Sequence, residues 1–153
     1  MIFALTAEID GAAYRVAEDQ DPLYRGLAVI DSGATDTVGS PEALEMIAKR
    51  MRAARPETEI KVETARNTKF RLADGRITPA YSKVVMRNAS ATFEAFCIDA
   101  KGTPALYGIK ALERTKAVID FGQHHMTCED ESGKRVQRQL ERTEKGHLLL
   151  DLC

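Results

Sequence analysis

The apolar run Leu27-Ala28-Val29-Ile30 leads straight into Asp31-Ser32-Gly33, and this junction constrains the chain more than any other feature. Four apolar residues bounded by turn formers read as a short strand. The strand delivers a carboxylate, a hydroxyl and a glycine to a tight turn, which is a way to hold a lone carboxylate rigidly at the floor of a cleft. Ser32 is placed to hydrogen-bond backbone near the turn. Gly33 lacks a Cβ and lets another chain approach closely.

The 153 residues are 44% hydrophobic, enough for a single domain over 1–153 with a real core. The formal net charge of −1 supplies no global field toward nucleic acid or an anionic membrane, so neither is expected as a partner. The basic cluster Lys49, Arg50, Arg52 and Arg55 reads as the solvated face of an amphipathic helix, with cations toward its C-terminal end. No apolar run approaches the ~20 residues of a membrane span. The stretch Met1–Glu8 is too briefly apolar to be expected as a secretory leader, and Cys153 in last place leads us to expect a longer parent polypeptide. Cys97, Cys128 and Cys153 are odd in number and lack metal-like spacing, which points to a reduced, cytoplasmic setting. His124-His125 has no third ligand at useful spacing, and His147 has no evident partner. No metal or organic cofactor is expected.

Local pattern places strands over Phe3–Ile9 and Tyr24–Ile30, with Glu18–Pro22 as a loop between them. Ser40-Pro41-Glu42 is a helix start, with a hydroxyl cap, proline at the first position and an acid in the first turn. Leu44, Ile47, Ala48 and Met51 recur with helical period, and Pro56 ends the element. Lys69–Ala73 alternates, Asp74-Gly75 is a hairpin turn, and Ile77–Met86 is the return strand. Strands follow over Thr92–Ile98 and Ala117–Phe121, with a short helix over Gly108–Lys116 between them. His125–Glu129 and Arg135–Leu140 form a hairpin through Ser132-Gly133, and Leu148–Leu152 is a last strand. The fold class is mainly β, largely antiparallel.

Behind Val29-Ile30, the motif Asp31-Ser32-Gly33-Ala34-Thr35-Asp36-Thr37-Val38 resembles the active-site loop of retropepsins, the aspartic proteases of retroviruses and LTR retrotransposons. A second region supports the resemblance: Ala105-Leu106-Tyr107-Gly108-Ile109, a helix near Lys110–Arg114, then Ala117–Phe121. It implies a closed, barrel-like β domain carrying one inserted helix over Ser40–Arg55 and a short helix in its second half. It further implies catalysis by Asp31 with Ser32 and Gly33, a substrate wall formed by Ala34, Thr35, Val38 and Leu106, and a flap at Asp74-Gly75; Asp36 either contacts the substrate backbone or caps the turn. Where the retroviral members pair an aspartate with an arginine, this chain has Thr35 and Ile109, so both partners of that ion pair are absent together. The chemistry requires two carboxylates sharing one proton. Val118-Ile119-Asp120-Phe121-Gly122 fails as a second copy, because phenylalanine replaces the small hydroxyl residue, and Asp120 reads as structural. The second carboxylate is therefore expected to be Asp31 of another copy, in a homodimer, and Leu148–Leu152 is either a dimer strand or a core strand. The implied substrate is an extended polypeptide, with a polyprotein containing this domain as the natural target. The alternative is a catalytically silent module of the same fold that dimerises or binds peptides.

Overall fold

The computed structural model describes residues 21–153, and the strand expected over Phe3–Ile9 lies outside the described residues. In chain order the elements are α1 (Pro22–Arg25), β1 (Ala28–Ile30), β2 (Val38–Gly39), α2 (Pro41–Ala54), β3 (Glu59–Thr64), β4 (Lys69–Arg71), β5 (Ile77–Arg87), β6 (Thr92–Ile98), β7 (Ala105–Tyr107), α3 (Ile109–Arg114), β8 (Val118–Asp120), β9 (His125–Glu129), β10 (Arg135–Gln139), β11 (Glu141–Arg142) and β12 (Leu148–Leu150). The fold is mainly β.

α2 forms for the reasons its sequence gives. The Ser40 hydroxyl accepts the Ala43 N–H at 3.2 Å and donates to the Thr103 carbonyl at 2.7 Å. Ala43, Leu44, Ile47 and Met51 make the buried stripe, and the helix stops at Ala54, before Pro56. The strand expected over Tyr24–Ile30 begins only at Ala28. Asp21 caps α1 by accepting the Leu23 N–H at 2.9 Å. Pro22 fits the first turn, and Gly26 closes the helix at φ 66, so Asp21-Pro22 is a helix start rather than the end of a loop.

The larger sheet runs β11-β12-β1-β7-β2-β6-β5-β3, with β4 paired to β5, and β10-β9-β8 form a separate sheet. The closed barrel is therefore corrected to an open sheet with a small antiparallel one beside it. Closure would require β11 to meet β3. β11 is two exposed residues long, and β3 presents Glu59, Lys61 and an exposed Val62. A very short strand at one edge and charges on the other both oppose further pairing. Most neighbours are antiparallel, but β1–β7 and β2–β6 are parallel.

β1, β7 and β12 are buried almost throughout, because both faces of the sheet are covered there. Ala28, Ala105, Tyr107, Leu148 and Leu150 face the cluster built with Leu44, Ile47 and Met51 of α2. Val29, Leu106 and Leu149 face the opposite cluster, which Phe70 and Leu72 of the β4 hairpin complete. Leu148–Leu150 is thus a core strand paired to β1 of its own chain.

Candidate active site

Pairing of β1 with β7 extends one residue past the strand, for the Asp31 N–H donates to the Tyr107 carbonyl at 3.1 Å. The chain then turns. The Ala34 N–H reaches the Asp31 carbonyl at 3.1 Å, and the Gly33 N–H donates to Asp31 Oδ1 at 2.9 Å. That bond fixes the carboxylate to its own loop. Asp31 Oδ2 is shielded from solvent within the single chain, whereas Ser32 and Gly33 are exposed at the tip.

One downstream segment fastens both arms of this loop. β7 lies between β1 and β2, with Leu106 opposite Val29 on one side and Val38 on the other. The Ala34 carbonyl accepts the Ile109 N–H at 2.8 Å and the Thr35 carbonyl accepts the Lys110 N–H at 3.1 Å. Thr37 Oγ1, buried, accepts the Gly108 N–H at 3.0 Å. Gly108 is a close approach of backbones: a Cβ there would meet the Asp36 carbonyl at 2.6 Å and the Ala34 oxygen at 2.9 Å.

The residues expected at the site fall into two groups. Asp31, Ser32, Gly33, Ala34, Thr35, Asp36 and Val38 come together with Leu106 on this loop and its support. Ala34, Val38 and Leu106 are wholly buried in one cluster with Phe70 and Leu72, so the β4 hairpin lies on the same apolar cluster as the base of the loop. Asp74 and Gly75 stand at the exposed tip of that hairpin. Asp74 accepts the Arg76 N–H at 2.9 Å and its guanidinium at 2.6 Å. The backbone N–H first, and then the guanidinium, holds the Asp74 carboxyl below the usual range. Gly75 takes φ 87 in open space.

Three supporting residues carried no assigned role in the sequence reading. Thr37 and Gly108 make the clamp just described. Lys110 Nζ lies 2.9 Å from Asp36 Oδ1, so an ion pair joins the two segments one residue beyond Thr35 and Ile109, the positions at which it is absent. A cation one residue after Ile109 and an acid one residue after Thr35 were the available signal. Asp120 lies in the other sheet, where its Oδ1 accepts the Gln123 N–H at 2.9 Å.

Three cations of the basic cluster on and just after α2 are paired, Lys49 with Glu45, Arg50 with Asp151 and Arg55 with Glu57. Among the described residues no three His, Cys, Asp or Glu side chains converge as a metal ion would need, and no helix is long and apolar enough to cross a membrane. No protein-family model, curated protein or solved structure matches the chain.

Proposed function

We propose that this chain is an aspartic endopeptidase of retropepsin type, active as a homodimer in which two Asp31 carboxylates share one site. The observation that carries the reading is the clamp: β7 and Gly108 hold both arms of the Asp31 loop while Ser32 and Gly33 stay exposed. A carboxylate held so firmly directly behind an exposed tip is arranged to meet its counterpart when two such tips pair. Two carboxylates in contact cannot both ionise, so they share a proton and titrate as a pair. The ionised member takes a proton from a water molecule as that water attacks the scissile carbonyl, and the protonated member donates to the carbonyl oxygen. Ser32 would brace the two loops across the dimer axis, and Gly33 would admit the substrate backbone. Substrate would be an extended polypeptide with apolar side chains at the cut, bound as a strand beneath the hairpin, and a polyprotein containing the domain is the natural target we propose.

The test is cleavage of a mixed peptide library from acid to neutral pH by wild type and Asp31→Asn at matched concentration. Cleavage by the wild type that vanishes in Asp31→Asn and falls on dilution supports the reading. A folded dimer that cuts nothing at any pH refutes it. One observation favours the silent, peptide-binding alternative: Phe70 and Leu72 anchor the hairpin in the core, and Asp74 and Arg76 pair at its tip. A hairpin so anchored must break apolar contacts before it admits a substrate strand.

A further inference from the structure

β1 and β12 run antiparallel, with Ala28 opposite Leu150 and Val29 opposite Leu149. Asp31 follows β1 by one residue and His147 precedes β12 by one, so the two stand at the same end of this strand pair. Both positions are held. Asp31 stays bonded to β7 through the Tyr107 carbonyl at 3.1 Å. On its other side the His147 N–H donates to Thr143 Oγ1 at 3.1 Å, and the His147 carbonyl accepts the Thr143 N–H at 2.9 Å. The turn between them closes at Gly146 with φ 91.

The imidazole is half-buried. Burial pushes its pKa below the ordinary value, and the charge of Asp31 opposes that shift without cancelling it. The other charged groups on the elements around it are Arg142, whose guanidinium folds back against Gly146, and the exposed Glu144 and Lys145 of the turn. Asp31 is the carboxylate whose charge reaches the ring.

We propose that His147 is a positioning residue for Asp31, one that sets the lower pH limit of catalysis. The inference rests on the reading of Asp31 as a shared catalytic acid. In the working pair one proton is bound, and a second proton stops the reaction. An imidazolium beside Asp31 favours its charged form and resists that second proton, so activity persists to lower pH than an uncharged neighbour would allow. Neutral His147, at higher pH, exerts no such pull.

Two readouts test this. Peptide cleavage by His147→Gln, which keeps polarity but cannot charge, should lose activity on the acid side at a pH about one unit higher than wild type, with activity at the optimum preserved. His147→Asn serves as a second variant should glutamine disturb the fold. Independently of cleavage, the NMR titration of the His147 ring should move to lower pH in Asp31→Asn, because removing the carboxylate removes the opposing charge. An unmoved ring titration overturns the proposal, as does an active His147→Gln enzyme whose acid limb stays where the wild type's lies. A ring titration that moves in a protein that cleaves nothing confirms the coupling of His147 to Asp31 and refutes the catalytic role through the protease reading alone.

Discussion

Gly108→Ala isolates the clamp from the rest of the site. Gly108 has φ −84 and ψ 173, a conformation open to alanine, so the cost lies in space rather than backbone strain. The new methyl would stand 2.6 Å from the Asp36 carbonyl, whereas ordinary contact begins near 3.4 Å, so one arm of the loop must retreat by about 0.8 Å. The obstacle is backbone of the returning arm, and the Ala34 oxygen in the way already accepts the Ile109 N–H. Overpacking of this kind costs about 1–3 kcal/mol, and weakening one loop hydrogen bond adds about 1 kcal/mol. Alanine recovers about 0.4–1 kcal/mol by restricting the unfolded chain. The net expectation is a loss of about 1–3.6 kcal/mol, or roughly 3–12 °C in Tm for a domain of this size. Urea unfolding followed by far-UV circular dichroism measures it, since the chain has no tryptophan. Because misplacing a reacting group by ~1 Å costs up to ~10²-fold, cleavage by the folded variant should fall by a comparable factor. A variant within about 0.5 kcal/mol of wild type that cleaves at full rate would refute the claim that Gly108 and the Asp31 loop are in rigid contact.

Thr37→Val keeps the shape of a buried side chain but strands the Gly108 N–H. We expect a loss of about 1–3 kcal/mol by urea unfolding, with Thr37→Ser close to wild type; equal stability of the valine and serine variants would show that this bond contributes nothing. Glu141 accepts both Arg25 guanidinium bonds, and those bonds lower its pKa in the folded state. A carboxylate whose folded pKa is depressed stabilises the fold above its unfolded value, and that contribution is lost as pH falls. Both side chains are more than a third exposed, so Glu141→Gln should cost well under 1 kcal/mol near neutral pH. The gap should shrink as pH falls from the ordinary glutamate value through the lower folded one, and it closes once Glu141 is protonated in both states; a gap that widens in acid would contradict the assignment.

Local signals carried the elements they govern. Ser40-Pro41 starts α2 and Asp74-Gly75 turns the β4–β5 hairpin because caps and tight turns are encoded within a few residues. The Asp31 loop was legible for the same reason. What escaped is non-local. β7 enters between β1 and β2 from far along the sequence, and no local pattern announces a parallel partner. The Asp36–Lys110 pair follows from that placement, so it was not visible without it. The closed barrel rested on resemblance alone, and the short, charged edges of β11 and β3 decide against it. Asp21-Pro22 shows a different failure, a genuine cap signal read as a loop because the helix it starts is four residues long.

The central claim is that two chains make one site, and inhibitor stoichiometry tests it most directly. A peptide found by library cleavage, rebuilt with a non-cleavable hydroxyethylene group at the scissile bond, would be titrated calorimetrically into wild type and Asp31→Asn. One inhibitor should bind per two chains, with binding weakened at low protein concentration and lost in Asp31→Asn. One inhibitor per chain, or binding undiminished in Asp31→Asn, would contradict it.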